Sequence, residues 1–224
     1  MRRTTARLKL GVLISGRGSN LQALIDAASD PGYPAEIVLV ISNRPEAAGL
    51  ERAARTGIAH RTIPHPSREA FAAAADAALR QSGAELVALA GYMRILDAGF
   101  VAAWRDRLVN IHPSLLPAFP GLHAQRQALA AGVRFSGCTV HFVRTEVDTG
   151  PIIAQAVVPV HPDDDEERLS ARILAAEHRL YPVVVRLFAE GRLRVVGSTV
   201  AIAGARAPDG AMFNPSEALA SGGG

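Results

Sequence analysis

Short apolar runs alternate with longer helix-period stretches over the first half of the chain, and this alternation constrains the fold more than any other feature. Residues 8–14 read as a buried strand, and residues 36–41, 60–63, 85–90 and 108–111 read as four more. Between them lie a glycine loop with a helix over 21–28, helices over 46–55 and 68–81, and a short helical segment around Phe100. Near-continuous apolar strands in a βαβαβα order predict an α/β fold. It is a Rossmann-like, mostly parallel twisted sheet with helices on both faces.

The second half reads differently. Pro113, Pro117 and Pro120 break up a loop that leads into a helix over 125–131. Residues 138–144 alternate and are β-branched, and 151–160 form another extended run, so the two are expected to pair as an antiparallel C-terminal extension. Asp163, Asp164, Asp165, Glu166 and Glu167 precede a long helix reaching Glu190. Acids at that place complement the helix dipole, a reading that outweighs metal binding. After Val196 the chain turns Gly/Ala/Pro-rich, with room for one hairpin and a disordered Gly222-Gly223-Gly224 end. The expected organisation is one domain over residues 1–196, with 1–7 as an N-terminal extension and 197–224 as a partly disordered tail.

Composition sets the outer limits. A chain of 224 residues, 49% hydrophobic and 20% charged, buries a core without disulfides or structural metals. The net charge of +3 is carried by arginine, since Lys9 is the only lysine, and no basic block marks a nucleic-acid binder. Cys138 stands alone, which excludes an intramolecular disulfide and predicts a cytoplasmic location. Met1-Arg2-Arg3 does not start an export signal, because Lys9 interrupts it and the apolar run over 10–14 is too short. No stretch approaches a membrane span.

Within this frame, the loop Gly16-Arg17-Gly18-Ser19-Asn20 sits between a strand and a helix, where α/β proteins present backbone N–H groups to a phosphate. The dinucleotide fingerprint needs a third small residue where Leu21 stands, and the second strand ends in Ser42-Asn43 rather than a ribose-holding acid. No Gly-Lys-Ser/Thr follows, so the Walker pattern fails as well. The loop is a tight turn or a monophosphate cradle, and by itself it does not decide between them.

Asn110 and His112 end the fifth strand at i and i+2, on one side of extended chain and at the sheet edge where α/β ligands bind. An amide and an imidazole there can donate to a developing oxyanion, and a protonated His112 can deliver a proton to a leaving nitrogen. A structural histidine leading a proline turn accounts for the same pair taken alone. Asp148, in an Asp-x-Gly turn between the two late strands, can hold His112 charged and oriented, or merely shape the turn. His112, His123, His141 and Asp148 match no common metal-ligand spacing, so no metal is expected. Cys138 is mid-strand and Ser114 lacks a Gly-x-Ser-x-Gly elbow, which disfavours a covalent enzyme intermediate. From the residues alone, the reading stops at an α/β enzyme or binding protein for a small phosphorylated ligand.

Eight segments, taken together and in order, resemble the phosphoribosylglycinamide formyltransferase family. They are residues 14–22, Ser42-Asn43, residues 90–96, 110–117, 120–123 and 140–143, 148–151, and Glu177-His178. The Asn-x-His-Pro-Ser-x-Leu-Pro segment at 110–117 is shared by the 10-formyltetrahydrofolate-using enzymes of the formyltransferase fold, and the glycine loop with Ser-Asn-Leu points to the glycinamide branch. The resemblance implies formyl transfer from 10-formyltetrahydrofolate, as co-substrate, to the amine of glycinamide ribonucleotide in purine biosynthesis. It implies Asn110, His112 and Asp148 as the catalytic trio, and Gly18, Ser19, Asn20 and Glu177 around the ribonucleotide. Folate contacts are implied for Arg68, Met93, Arg94, Ile95, Leu96, Asn110 and Val143. The partners implied are small molecules, with no nucleic acid and no membrane, for a monomer or homodimer.

Two relatives of that fold are weighed against it. A formyltetrahydrofolate hydrolase is expected to carry an N-terminal regulatory domain, and here the first strand starts near Leu8. A methionyl-tRNA formyltransferase is expected to carry a basic C-terminal domain, and the short tail with Asp209 and Glu217 is a poor grip for RNA. A non-catalytic binding module would bring Asn110, His112 and Asp148 together without turnover.

Overall fold

A computed structural model describes residues 6–214. Five strands, β1 (Leu8–Ile14), β2 (Ala35–Ser42), β3 (His60–Thr62), β4 (Leu86–Leu89) and β5 (Leu108–His112), run parallel. Then β6 (Phe135–Phe142) pairs antiparallel with β5, and β7 (Ile152–Pro159) antiparallel with β6. The sheet order is β3-β2-β1-β4-β5-β6-β7. The helices are α1 (Ser19–Ser29), α2 (Ala48–Arg55), α3 (Arg68–Gln81), α4 (Ala98–Ala103), α5 (Ala124–Ala130) and α6 (Glu166–Ala189).

The apolar strands read as continuous because successive side chains enter two different cores. In β4, Leu86 and Ala88 join the core under α1, α2 and α6, while Val87 and Leu89 join the one under α3 and α4. The long helix α6 is fixed by Tyr181, whose buried hydroxyl donates to the carbonyls of Leu89 and Val109 at 3.0 and 3.1 Å. That anchor on β4 and β5 sets Glu177, one turn earlier, against α1. The acidic run before α6 serves the helix: Asp165 Oδ1 accepts from Arg168 N, and Asp163 and Asp164 pair with Arg168 and Arg172.

The structure corrects two element boundaries. Helix α1 starts at Ser19, not 21, so Ser19 and Asn20 lie in its first turn. Strand β6 spans 135–142 instead of 138–144. Gly137 breaks the alternation, yet it pairs with Val157 of β7 within the strand, where a Cβ would come 1.9 Å from the Ala156 carbonyl oxygen and only glycine fits. A hairpin of β8 (Leu193–Val196) and β9 (Thr199–Ile202) follows α6 and carries the chain past Val196. Most of the N-terminal extension and Gly222-Gly223-Gly224 lie outside the described residues. No helix among the described residues is long and apolar enough to cross a membrane.

Candidate active site

Antiparallel register makes Asn110 of β5 the direct partner of His141 on β6, and a bulge opposite His141 locally breaks the β6–β7 ladder. The two side chains meet, with Asn110 Nδ2 3.3 Å from His141 Nε2. The turn joining β6 to β7 leaves the sheet beside the start of β5, since Phe142 pairs with Val109, and folds back across the sheet face. It brings Asp148 to both histidines: Oδ2 lies 3.2 Å from His112 Nδ1, and Oδ1 lies 3.5 Å from His141 Nε2. The expected trio of Asn110, His112 and Asp148 is thus one buried cluster, to which the structure adds His141.

Proton placement follows from the acceptors. Nε2 of His112 donates to the Phe119 carbonyl at 2.9 Å, so a proton on Nδ1 as well makes the ring a donor to Asp148. Nδ1 of His141 donates to the Phe142 carbonyl at 3.0 Å. Its Nε2 accepts from Asn110 when bare and donates to Asp148 when protonated. Burial pushes the Asp148 carboxyl up. Hydrogen bonds from His141 and from the Gly121 N–H, together with the nearby imidazoles, outweigh this and hold it below the ordinary carboxylate range. Its backbone is left-handed at φ 55°, as are Phe119 and His123 at 54° and 59° in the loop facing it. Non-glycine residues adopt that region only where surroundings compel it. The cleft bounded by Leu116, Pro117, Pro120, Asp148 and Ile152 has a volume of ≈ 300 Å³.

The glycine loop forms a second half-site. Gly18, at φ 69°, caps α1 without a side-chain partner, leaving the first-turn N–H groups of α1 open to an anion. Asn20 Nδ2 donates 2.7 Å to Glu177 Oε2, and Asn20 Oδ1 is buried without a partner. Burial raises the Glu177 carboxyl to about 7 against the lowering effect of that hydrogen bond. Ser19 lines a cavity of ≈ 360 Å³ with Gln22, Asp26, Arg52 and His178, whose Nε2 is also unpartnered. Leu21 is fully buried where a dinucleotide fold needs a small residue.

Of the residues expected around the folate, Met93 and Ile95 expose 62% and 49% of their surface, a large apolar exposure, and Arg94 is exposed. Leu96 differs: its side chain packs in the α3/α4 core, so it offers a ligand backbone only. The Met93 N–H is held at 2.9 Å by Ser15 Oγ, which in turn donates to Asn43. Arg68 opens α3, and Phe71, one turn on, stacks on Tyr92 beside Met93. Val143 lies half-buried at the end of β6.

The remaining candidates take other roles. Burial, then the Glu177 charge, pushes the Cys138 thiol up to about 12, so it supplies no thiolate at neutral pH. Ser114 donates its hydroxyl to the Ala118 carbonyl. Among the described residues, no three His, Cys, Asp or Glu side chains are grouped as metal ligands. His141 appears in the sequence only as one histidine among several; its role comes from the β5–β6 register.

A phosphate-type helix start, an exposed apolar segment and a largely buried Asn-His-His-Asp cluster form the kind of small-molecule site that α/β folds carry at the carboxyl ends of their parallel strands. The chain belongs to the formyl transferase family, whose model matches residues 8–185. It is 45% identical over 204 residues to the phosphoribosylglycinamide formyltransferase of Escherichia coli (strain K12), covering 90% of this chain and 96% of that one. It is 56% identical over 195 residues to the trifunctional purine biosynthetic protein adenosine-3 of Drosophila pseudoobscura pseudoobscura, covering 85% of this chain. The chain spans only 14% of that insect protein's length. The crystal structure of glycinamide ribonucleotide transformylase 1 from Symbiobacterium toebii superposes with a TM-score of 0.85 at 53% identity, covering 88% of this chain and 94% of that one.

Proposed function

We propose that the chain transfers the formyl group of 10-formyltetrahydrofolate to the amine of glycinamide ribonucleotide, giving N-formylglycinamide ribonucleotide and tetrahydrofolate. The observation that carries this reading is Asp148 reaching His112 and, through His141, Asn110, in one buried cluster. Met93–Leu96 and Val143, with Arg68, hold the folate mainly through backbone groups and apolar contact. The start of α1 takes the phosphate, and Asn20 and Glu177 take the neighbouring polar groups of the ribonucleotide. Both partners are small molecules, and no step uses a metal.

The substrate amine attacks the formyl carbon and places negative charge on the formyl oxygen. Asn110 donates a free amide N–H to that oxygen. His112, doubly protonated, donates when Nε2 leaves the neutral Phe119 carbonyl for the stronger, anionic acceptor. Asp148 holds the His112 charge throughout. The proton lost by the attacking nitrogen balances the one gained by N10 as the carbon–N10 bond breaks.

Release of folate product from a 10-formyl donor, followed spectrophotometrically with and without glycinamide ribonucleotide, tests this reading. Ribonucleotide-dependent release is the expected result. Water is the alternative acceptor, because the chain is also 33% identical to the formyltetrahydrofolate deformylase of Burkholderia mallei, whose crystal structure superposes with a TM-score of 0.81. Release independent of the ribonucleotide would assign the chain to that activity.

A further inference from the structure

We infer that Arg144 and Asp106 form a latch that positions Asp148 for the reaction, an inference resting on the catalytic reading of Asp148 above. Asp148 lies in the β6–β7 turn, past the end of β6, yet reaches His112 of β5, so its position depends on how the base of that turn is held. Arg144 stands at that base, two residues past the end of β6. Its Nη2 donates at 2.6 Å to Asp106 Oδ1, and its Nη1 donates at 3.0 Å to the Val143 carbonyl. Its stem packs over the other end of the turn: a Cβ on Gly150 would stand 3.3 Å from Arg144 Cγ. One side chain therefore spans both ends of the segment that carries Asp148.

Asp106 joins the turn to the opposite side of the site. It lies just before β5, in a left-handed conformation at φ 58°, and β5 carries Asn110 and His112. The Val143 N–H bonds the Leu108 carbonyl at 2.9 Å, so the ion pair continues the β5–β6 ladder by one side-chain rung. The Arg144 side chain is 18% exposed, and the two donors of its planar guanidinium fix its direction as well as its distance. The Gly121 N–H, 2.8 Å from Asp148 Oδ2, then reports whether the carboxylate is in place.

The latch is tested by kcat, KM for both substrates, melting temperature and hydrogen exchange at the Gly121 amide. Arg144→Met keeps the stem and removes the charge, and Asp106→Asn leaves only a neutral amide oxygen to accept from Arg144, removing the partner's charge while tolerating the left-handed backbone. Misplacement of a catalytic group lowers kcat without weakening substrate binding, so each variant is expected to lose about 10-fold in kcat with KM for the ribonucleotide nearly unchanged. Gly121 is expected to exchange faster in both. The double variant is expected to match the single ones, because the two residues act as a unit, and Arg144→Lys, which keeps the charge but not the two planar donors, to recover turnover only in part. Asp148→Asn separates the two levels of inference. If it loses turnover while Arg144→Met and Asp106→Asn keep normal kcat and normal Gly121 exchange, the latch is wrong and the site reading stands. If Asp148→Asn turns over normally, the catalytic reading of Asp148 is wrong and the latch falls with it.

Discussion

Asn20 Nδ2 donates 2.7 Å to Glu177 Oε2, joining the first turn of α1 to the middle of α6 across 157 residues of sequence. The pair is almost fully buried, and Glu177 is raised from 4.5 to about 7 by that burial, with Asn20 opposing it. A carboxyl whose folded pKa is raised stabilises the fold below its unfolded pKa, and that stability is lost as pH climbs through the folded value. The loss between about pH 4.5 and pH 7 is on the order of 3 kcal/mol. Glu177→Gln cannot ionise, so it should be relatively more stable than the parent at pH 8 and show no such gain at pH 4. Urea unfolding at the two pH values checks this. On the proposed role of Glu177 beside the ribonucleotide, the same variant should also raise KM for that substrate.

Removing the oxyanion donors makes a second test. In the proposed mechanism Asn110 and His112 each supply one donor, and a donor aimed at developing charge contributes roughly 3 kcal/mol, so Asn110→Ala or His112→Ala should lower kcat about 100- to 1,000-fold. The paired variant should fall short of the product of the two losses, because His141 and Asp148 couple the side chains. Steady-state turnover of the three variants suffices. Near-normal turnover in His112→Ala would overturn the mechanism.

His141 makes a third. Its ring orients Asn110 through Nε2 and is itself held by the Phe142 carbonyl through Nδ1. His141→Phe keeps an aromatic ring in place but removes the acceptor for the Asn110 amide when Nε2 is bare, and the donor to Asp148 Oδ1 when Nε2 is protonated. Loss of one hydrogen bond to a charged group is worth about 2 kcal/mol, so kcat should fall about 10- to 30-fold. In the parent, Asp148 is held below its ordinary range, so its charge persists down to acid pH. His141 is the first of the causes that lower it, and in His141→Phe the acid-side loss of kcat should move to higher pH. A pH–rate profile that does not move would remove His141 from the electrostatics of the site.

Much of this site was legible in the residues, and the missing part has a definite physical origin. Asn110 and His112 could be placed because a period of two on an extended strand is a local rule, and Gly18, Ser19 and Asn20 because a strand–glycine–helix step is local too. His141 could not be singled out, since its meeting with Asn110 depends on which residue of β6 faces which residue of β5. That register lies 31 positions away and is set by packing. The reach of Asp148 back over the sheet is equally non-local, as is the contact of Arg144 with Asp106. The parallel half of the fold was legible because β1 and β4 feed both cores with alternate residues, whereas Gly137 hid the first part of β6.

The glycine loop allows a test of whether its shape, as distinct from its composition, makes the phosphate cradle. Gly18 and Gly16 are two residues apart in the same loop, but only Gly18 is constrained. Gly18 sits at φ 69°, and a Cβ on it would stand 2.7 Å from Gly49 Cα, a backbone atom of α2 that cannot swing away. Gly16 has nothing within 4 Å of a Cβ and no positive φ. Gly18→Ala therefore combines left-handed strain of about 1–2 kcal/mol with a backbone clash, and should destabilise the protein by about 3 kcal/mol. Gly16→Ala should be neutral or slightly stabilising, by about 0.5 kcal/mol, through a less flexible unfolded chain. If the close approach of α2 also sets the direction of the first α1 N–H groups, Gly18→Ala should raise KM for the ribonucleotide while KM for the folate stays put. Denaturant unfolding and the two KM values decide it. Equal behaviour of the two alanine variants would mean that any substitution in the loop matters, and that the Gly18–Gly49 contact does not shape the cradle.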